Sequence, residues 1–205
     1  MGDMTLEQVN AMYVDVLKEL GNIGAGNATS AIANMLGTKI DMNVPSIRLM
    51  EVSDLGGALG AEDDTVVGIF LEVEKDIDGS MMFLLDIPSA RYLVNSLMLQ
   101  SVDRDTFDEM ELSALKEIGN IIAGSYLSAL SSLTGLSIIP SVPYISVDMA
   151  AAILSVPAIQ FGQYGDNALL IQTEICADVL VNGYFILMPE QQSYQKILAS
   201  LGITI

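Results

Sequence analysis

The sequence predicts an α+β fold, internally duplicated, with helices related by a pseudo-twofold packed on a mostly antiparallel sheet. Three observations predict it. The stretch LKELGNIGAG, Leu17 to Gly26, returns as LKEIGNIIAG, Leu115 to Gly124, and from Leu17 to Ile47 nearly half of the positions are identical to their partners at that offset, without a gap. Val9, Met12, Val16, Leu20 and Ile23 recur at helical spacing around the first copy. Thr65 to Val73 and Gly79 to Leu85 are apolar, partly β-branched runs joined by the acidic turn EKDIDG, the pattern of an antiparallel hairpin. The expected organisation is a single domain made of two repeats, about 1–102 and 103–205.

In order along the chain, Leu6 to Ile23 reads as an amphipathic helix with Thr5 as N-cap. Asp15, Glu19, Asn22 and Gly26 fall at i, i+4, i+7 and i+11, a polar stripe separate from the apolar face. Gly21, Gly24 and Gly26 each weaken a helix by roughly 1 kcal/mol relative to Ala, which predicts a break or a close approach by another backbone. A second helix, Ala28 to Leu36, ends at Gly37, which suits a left-handed cap. A strand around Lys39 to Val44 leads to Pro45, expected to shape a turn, and Val52 to Gly60 reads as a short helix or a loop. After the hairpin, Pro88 opens a helix over Ser89 to Leu99.

The second half repeats this order. A charged linker, Asp103 to Glu109, leads into a helix over Met110 to Ile122 that carries Ser113, Glu117 and Asn120 on its polar stripe. A helix over Tyr126 to Leu133 ends at Gly135, the partner of Gly37, and Pro143 matches Pro45. Ala158 to Tyr164 and Ala168 to Glu174 read as strands flanking a Gly-Asp-Asn turn, Val179 to Met188 as a further strand, and Glu190 to Leu201 as a closing helix.

Composition narrows the chemistry. Eight basic residues against 26 acidic ones give a net charge of −18, which repels a phosphate-coated partner and argues against nucleic-acid binding. There is no His, and Cys176 is the only cysteine, so disulfides, His-based zinc sites and Ser-His-Asp triads are excluded together. The single reduced cysteine, and a start without a basic region and apolar run, predict a cytoplasmic protein. From Ile118 to Val147 the chain carries no charge, but Asn120, several serines, Thr134, three glycines and two prolines interrupt the run, and Lys39 and Asp41 stand in the same register of the first copy. A buried helix, turn and strand fit both copies, and a membrane span fits neither. The glycines of GNIGAGNA end a helix with no strand before them and no Walker lysine after, so a phosphate-cradling loop is not supported.

A Glu and an Asn three apart on a helix are ordinarily solvated surface. Here both are retained in register while Asp15 became Ser113 and Ala28 became Tyr126. Asp15-x3-Glu19-x2-Asn22-x22-Pro45 and Ser113-x3-Glu117-x2-Asn120-x22-Pro143 resemble the doubled signature of the CheC-type phosphatases of bacterial chemotaxis. The resemblance covers essentially the whole chain. Related CheX proteins carry one such motif, and FliY-type proteins append a switch domain.

The resemblance implies hydrolysis of the aspartyl-phosphate on the response regulator CheY. Asn22 and Asn120 would orient the attacking water, and Glu19 and Glu117 would dock the regulator by pairing with a lysine near its phosphoryl group. Asp15 and Ser113 would lie at the rim, and Pro45 and Pro143 would shape the turn into the following strand. No cofactor is implied, the Mg belonging to the regulator, and CheD is a further implied partner of a monomer or of a heterodimer with CheD. Two other functions remain open at this level, a non-catalytic binding module for a response regulator or CheD, and a flagellar-switch component.

Overall fold

The computed structural model of the chain describes residues 6–59, 63–161, 167–177 and 179–202. The first helix, α1 (Leu6–Leu36), is continuous, where the sequence predicts two helices and a break. Gly21 and Gly24 are notches in its surface, whereas Gly26 faces open space. A Cβ at Gly21 would lie 2.6 Å from Ile47 Cδ1, and one at Gly24 would lie 2.4 Å from Tyr126 Cδ1. Side chains, not another backbone, approach there, and the burial they achieve outweighs the weak helix propensity of glycine. Gly37 takes φ +64° and stops the helix as expected. The Thr5 N-cap lies outside the described residues.

Strand β1 (Asp41–Glu51) runs straight through Pro45 instead of ending before it. Its pairing with a later strand shifts register between Asn43 and Ser46, and β1 lies at the edge of the sheet. Both facts spare proline the ladder hydrogen bond it cannot donate. A 3-10 turn over Val52–Asp54 and the short α2 (Leu55–Leu59) resolve the helix-or-loop segment. The hairpin of β2 (Thr65–Lys75) and β3 (Gly79–Asp86) forms as predicted, with Val66 opposite Asp86 and Val73 opposite Gly79. Helix α3 (Ile87–Met98) is capped by Asp86, whose Oδ1 accepts from the Ser89 N–H at 2.7 Å.

The second half opens with α4 (Glu109–Thr134), again one helix where two are predicted. Gly119 is the notch here, with Ile69 Cδ1 2.7 Å from its missing Cβ. Gly135, at φ +71°, closes the helix, its N–H donating to Ser131 O at 2.8 Å. Two strands follow, β4 (Ile138–Pro140) and β5 (Tyr144–Met149), both paired with β2. The position equivalent to the β1 irregularity thus becomes a gap, with Pro143 inside it.

Helix α5 (Ala150–Phe161) corrects the strand predicted over Ala158 to Tyr164, whose residues 162–164 lie outside the described part. A run this short has no period to separate helix from strand, and the helix that begins at Ala150 and packs Ile153 and Leu154 on the sheet continues through it. Then come β6 (Asn167–Cys176), β7 (Leu180–Pro189) and α6 (Gln191–Ser200).

The strands form one antiparallel sheet of order β1-β6-β7-β3-β2, with β4 and β5 along the far side of β2. Exchanging the two halves of the chain leaves this order unchanged. Its centre lies between β3 and β7, where Phe83 stands opposite Phe185. Each half lends its first long strand to the hairpin of the other, since β1 pairs with β6 and β5 with β2.

Alternation along the strands supplies both faces. Val67, Ile69, Leu71, Met81, Phe83, Leu85, Ile171 and Phe185 form an inner core with α1, α3, α4 and α6. Val66, Met82, Leu84, Leu170, Ile186 and Met188 form an outer core with α2 and α5. Among the described residues no helix is long and apolar enough to cross a membrane.

Candidate functional site

The helical period places the candidate residues. In α1, Leu17, Leu20, Ala28 and Ile32 are buried, while Glu19, Asn22 and Gly26 face solvent. In α4, Leu115, Ile118 and Ile122 are fully buried, Ser113 and Glu117 are exposed, and Asn120 is half-buried. The two helices pack side by side on the inner face of the sheet, so the structure holds both polar stripes on one helical layer. Asp15 belongs to α1, but its side chain lies outside the described part.

Glu and Asn in each pair are one helical turn apart, about 4.5 Å along the axis. None of the side chains of Glu19, Asn22, Glu117 and Asn120 is engaged in a hydrogen bond or ion pair with another described residue. Each stripe therefore offers a carboxylate that accepts and a carboxamide that both donates and accepts. Among the described residues no group of three or more His, Cys, Asp or Glu is arranged to hold a metal.

The turn bearing each Asn is seated by the glycine just before it. Ile47 and Val44 of β1 fill the notch at Gly21, with Val44 Cγ1 3.3 Å from the missing Cβ. Pro45 stands exposed between these two anchors, in the strand and not in the turn the sequence predicts. At Gly119 the filler is Ile69 of β2, and Pro143 sits half-buried between β4 and β5. The two sites are thus supported differently.

Gly24 and Tyr126 add to the asymmetry. The Tyr126 ring, buried where the first copy has Ala28, stacks on Phe185 with centroids 4.3 Å apart, and its hydroxyl lies 3.3 Å from Thr173 Oγ1. Burial raises the Tyr126 hydroxyl pKa, against which the Thr173 contact works. Gly24 makes room for this ring, so α1 and α4 interlock through one aromatic residue.

Sequence reasoning missed a charged cluster at the start of α4. Glu111 is 1% exposed and accepts hydrogen bonds from Arg91 Nη1 at 2.6 Å, Gln100 Nε2 at 3.0 Å, Arg104 Nη2 at 3.0 Å and the Asp108 N–H at 2.9 Å. Arg91 also donates to the carbonyls of Arg104 and Thr106, at 3.0 and 2.7 Å, and lies 4.3 Å above the Phe107 ring. Burial pushes the Glu111 carboxyl up, but the bonds from Arg91, the Asp108 backbone and Arg104 together overcome it and hold the group at about 2.

The cluster ties α3 and the 99–108 connection to the first turn of α4, just ahead of Ser113 and Glu117. The first copy has Tyr13 at the equivalent position and so lacks the carboxylate. The signal was legible as Asp108-x-x-Glu111, a capping box, which forms with Asp108 Oδ1 accepting from the Met110 and Glu111 N–H groups at 3.0 Å.

Comparison with known proteins places both stripes in context. The CheC-like family model matches residues 12–48 and 110–147, two segments that contain all eight candidate positions. The chain is 38% identical over 199 residues to the CheY-P phosphatase CheC of Bacillus subtilis, covering 94% of this chain and 95% of that one. In structure it is similar to Thermotoga maritima FliY, with a TM-score of 0.74 and 21% identity over 98% of each chain. It also resembles a chain of the CheX-CheY-BeF3-Mg complex of Borrelia burgdorferi, with a TM-score of 0.53 and 18% identity over 87% of this chain and 99% of that one. These two structural likenesses concern the fold.

Proposed function

Because the chain belongs to the CheC-like family, we propose that it hydrolyses the aspartyl-phosphate of the chemotaxis response regulator CheY. The observation that carries the proposal is the doubled pair Glu19–Asn22 and Glu117–Asn120, unengaged by other described residues within the two family-matched segments. The name of the Bacillus subtilis relative supports the substrate.

An acyl phosphate is reactive already. Its loose transition state asks for an aligned water and stabilised charge, with no covalent chemistry from the protein. In the proposed mechanism the carbonyl oxygen of Asn22 or Asn120 accepts a hydrogen bond from a water and the amide N–H donates to a phosphoryl oxygen, holding the water in line with the bond to be broken. The water oxygen attacks phosphorus, the P–O bond to the aspartyl carboxylate breaks, and free Asp and inorganic phosphate result. Glu19 and Glu117, one turn away, pair with a cationic side chain beside the phosphoryl group and set the register of the helix over it. Asp15 and Ser113 lie one turn further, at the rim, while Pro45 stands in the strand behind α1 and Pro143 shapes the turn into β5. Mg acts as part of the regulator.

On this reading the chain is one domain of two repeats that works in the cytoplasm, alone or as a heterodimer with CheD. The test is the decay of radiolabelled phospho-CheY with wild type, Asn22→Ala, Asn120→Ala and the double variant. The double variant should lose nearly all acceleration while its circular dichroism is unchanged; acceleration equal to wild type overturns the assignment.

A further inference from the structure

We propose that the outer face of the sheet, at the turn end of the β2–β3 hairpin, binds an organic cation that presents a primary ammonium group. A concavity of about 260 Å³ opens there, lined by Glu72, Glu74, Asp78 and Glu190, with Phe70 as an apolar wall and Ser80 at its floor. Ser80 is 1% exposed, and its Oγ is a buried hydroxyl without a hydrogen-bond partner. Glu72 stands opposite Ser80 in the β2–β3 register, so both side chains share one face of the sheet. The four carboxylates are exposed, and none forms an ion pair or side-chain hydrogen bond with another described residue. An orphaned acceptor at the floor and unpaired acceptors around the rim match a ligand that brings several N–H donors and positive charge.

The frame around the concavity is rigid. The Asp78 N–H donates to Ser193 Oγ at 2.7 Å, and the Glu190 N–H donates to Asp78 O at 2.9 Å. Ser141 bridges the Glu72 backbone, its Oγ accepting from the Glu72 N–H and its N–H donating to Glu72 O, both at 2.9 Å. A compact metal ion is a poor match, since no three carboxylates among the described residues converge on one point. An ammonium on an alkyl stem fits better, with its methylenes along Phe70 and its head between Ser80 and the neighbouring Glu72, the other carboxylates adding charge from the rim. Phe70, Glu72 and Ser80 alternate with Ile69, Leu71 and Met81 of the inner core, so the site faces away from α1 and α4 and is independent of the Glu–Asn stripes.

A free polyamine and a lysine side chain of a partner share this chemistry. The full chain is titrated with spermidine, and separately with a short lysine peptide, while amide NMR signals of residues 70–80 are followed. Saturation at this hairpin by spermidine identifies a polyamine site, and saturation by the peptide alone identifies a lysine of a protein. Ser80→Ala removes no charge and should weaken the binding probe about tenfold, whereas diffuse attraction to an acidic surface would leave its affinity unchanged. Glu72→Gln with Glu74→Gln should abolish saturation. Shifts spread over the whole surface, an unaltered Ser80→Ala affinity, or no binding of either probe overturns the proposal.

Discussion

Glu111→Gln tests how the second site is held. The carboxylate accepts from Arg91, Gln100, Arg104 and the Asp108 backbone, and the substitution leaves the Arg91 guanidinium, 7% exposed as a residue, without its counter-charge. Breaking a buried pair in this way costs about 3–5 kcal/mol. At about 2–4 °C per kcal/mol for a chain of this size, the melting temperature should fall by roughly 6–20 °C.

The pH dependence has a definite sign. Glu111 is held at about 2 against an ordinary 4.5, so its contribution is complete above pH 4.5 and disappears as pH falls through about 2. The variant has no such contribution to lose. The part of the stability gap owed to ionisation should therefore shrink by more than half between pH 6 and pH 3, read by urea denaturation with far-UV circular dichroism. The effect should also reach activity unequally. With Asn22→Ala as background, where the second site alone works, Glu111→Gln should slow phospho-CheY decay more than with Asn120→Ala as background. A destabilisation under about 1 kcal/mol at pH 7, or a gap that does not change with pH, would refute the reasoning.

Two further outcomes follow from the geometry. Gly24→Ala places a Cβ 2.4 Å from a Tyr126 ring already fixed by Phe185 and Thr173, so it should destabilise by about 1–3 kcal/mol, whereas Gly26→Ala, with nothing within 4 Å, should stabilise by up to about 1 kcal/mol. Thermal melts of the pair check this, and equal effects would show that the notch is not filled as described. Glu19→Lys with Glu117→Lys should weaken binding to phospho-CheY at least tenfold at low salt, read by titration calorimetry, while leaving the melting temperature within a few degrees, because both side chains are exposed and unpaired by described residues. Unchanged binding would sink the docking role.

Much of the fold was legible because it rests on local pattern. The hairpin, the helix after Pro88 and the caps at Gly37 and Gly135 each follow from residues close in sequence. The misreadings share one cause. Gly21 and Gly24 look like a break, or a place where another backbone approaches, until the side chains of Ile47 and Tyr126 arrive from elsewhere in the chain to fill them. Ala158 to Tyr164 looks like a strand, but its described part, Ala158 to Phe161, continues a helix anchored on the outer sheet face by Ala150, Ile153 and Leu154. Pro45 looks like a turn until β1 proves to be an edge strand with an irregular register. Arg91 and Glu111 lie too far apart in the chain for a helical or strand period to pair them.

The sequence by itself showed two similar stretches 98 positions apart and placed the two polar stripes, since a stripe is a property of the helical period and needs no partner. Only the tertiary structure decided that the two stripes share one helical layer, and that the sites are supported unequally, by Ile47 at one and by Ile69 and the Glu111 cluster at the other. It also decided that the halves exchange their first long strands across one sheet. Those outcomes depend on contacts between residues distant in the chain, whose burial and hydrogen bonding outweigh local propensities of about 1 kcal/mol or less per residue.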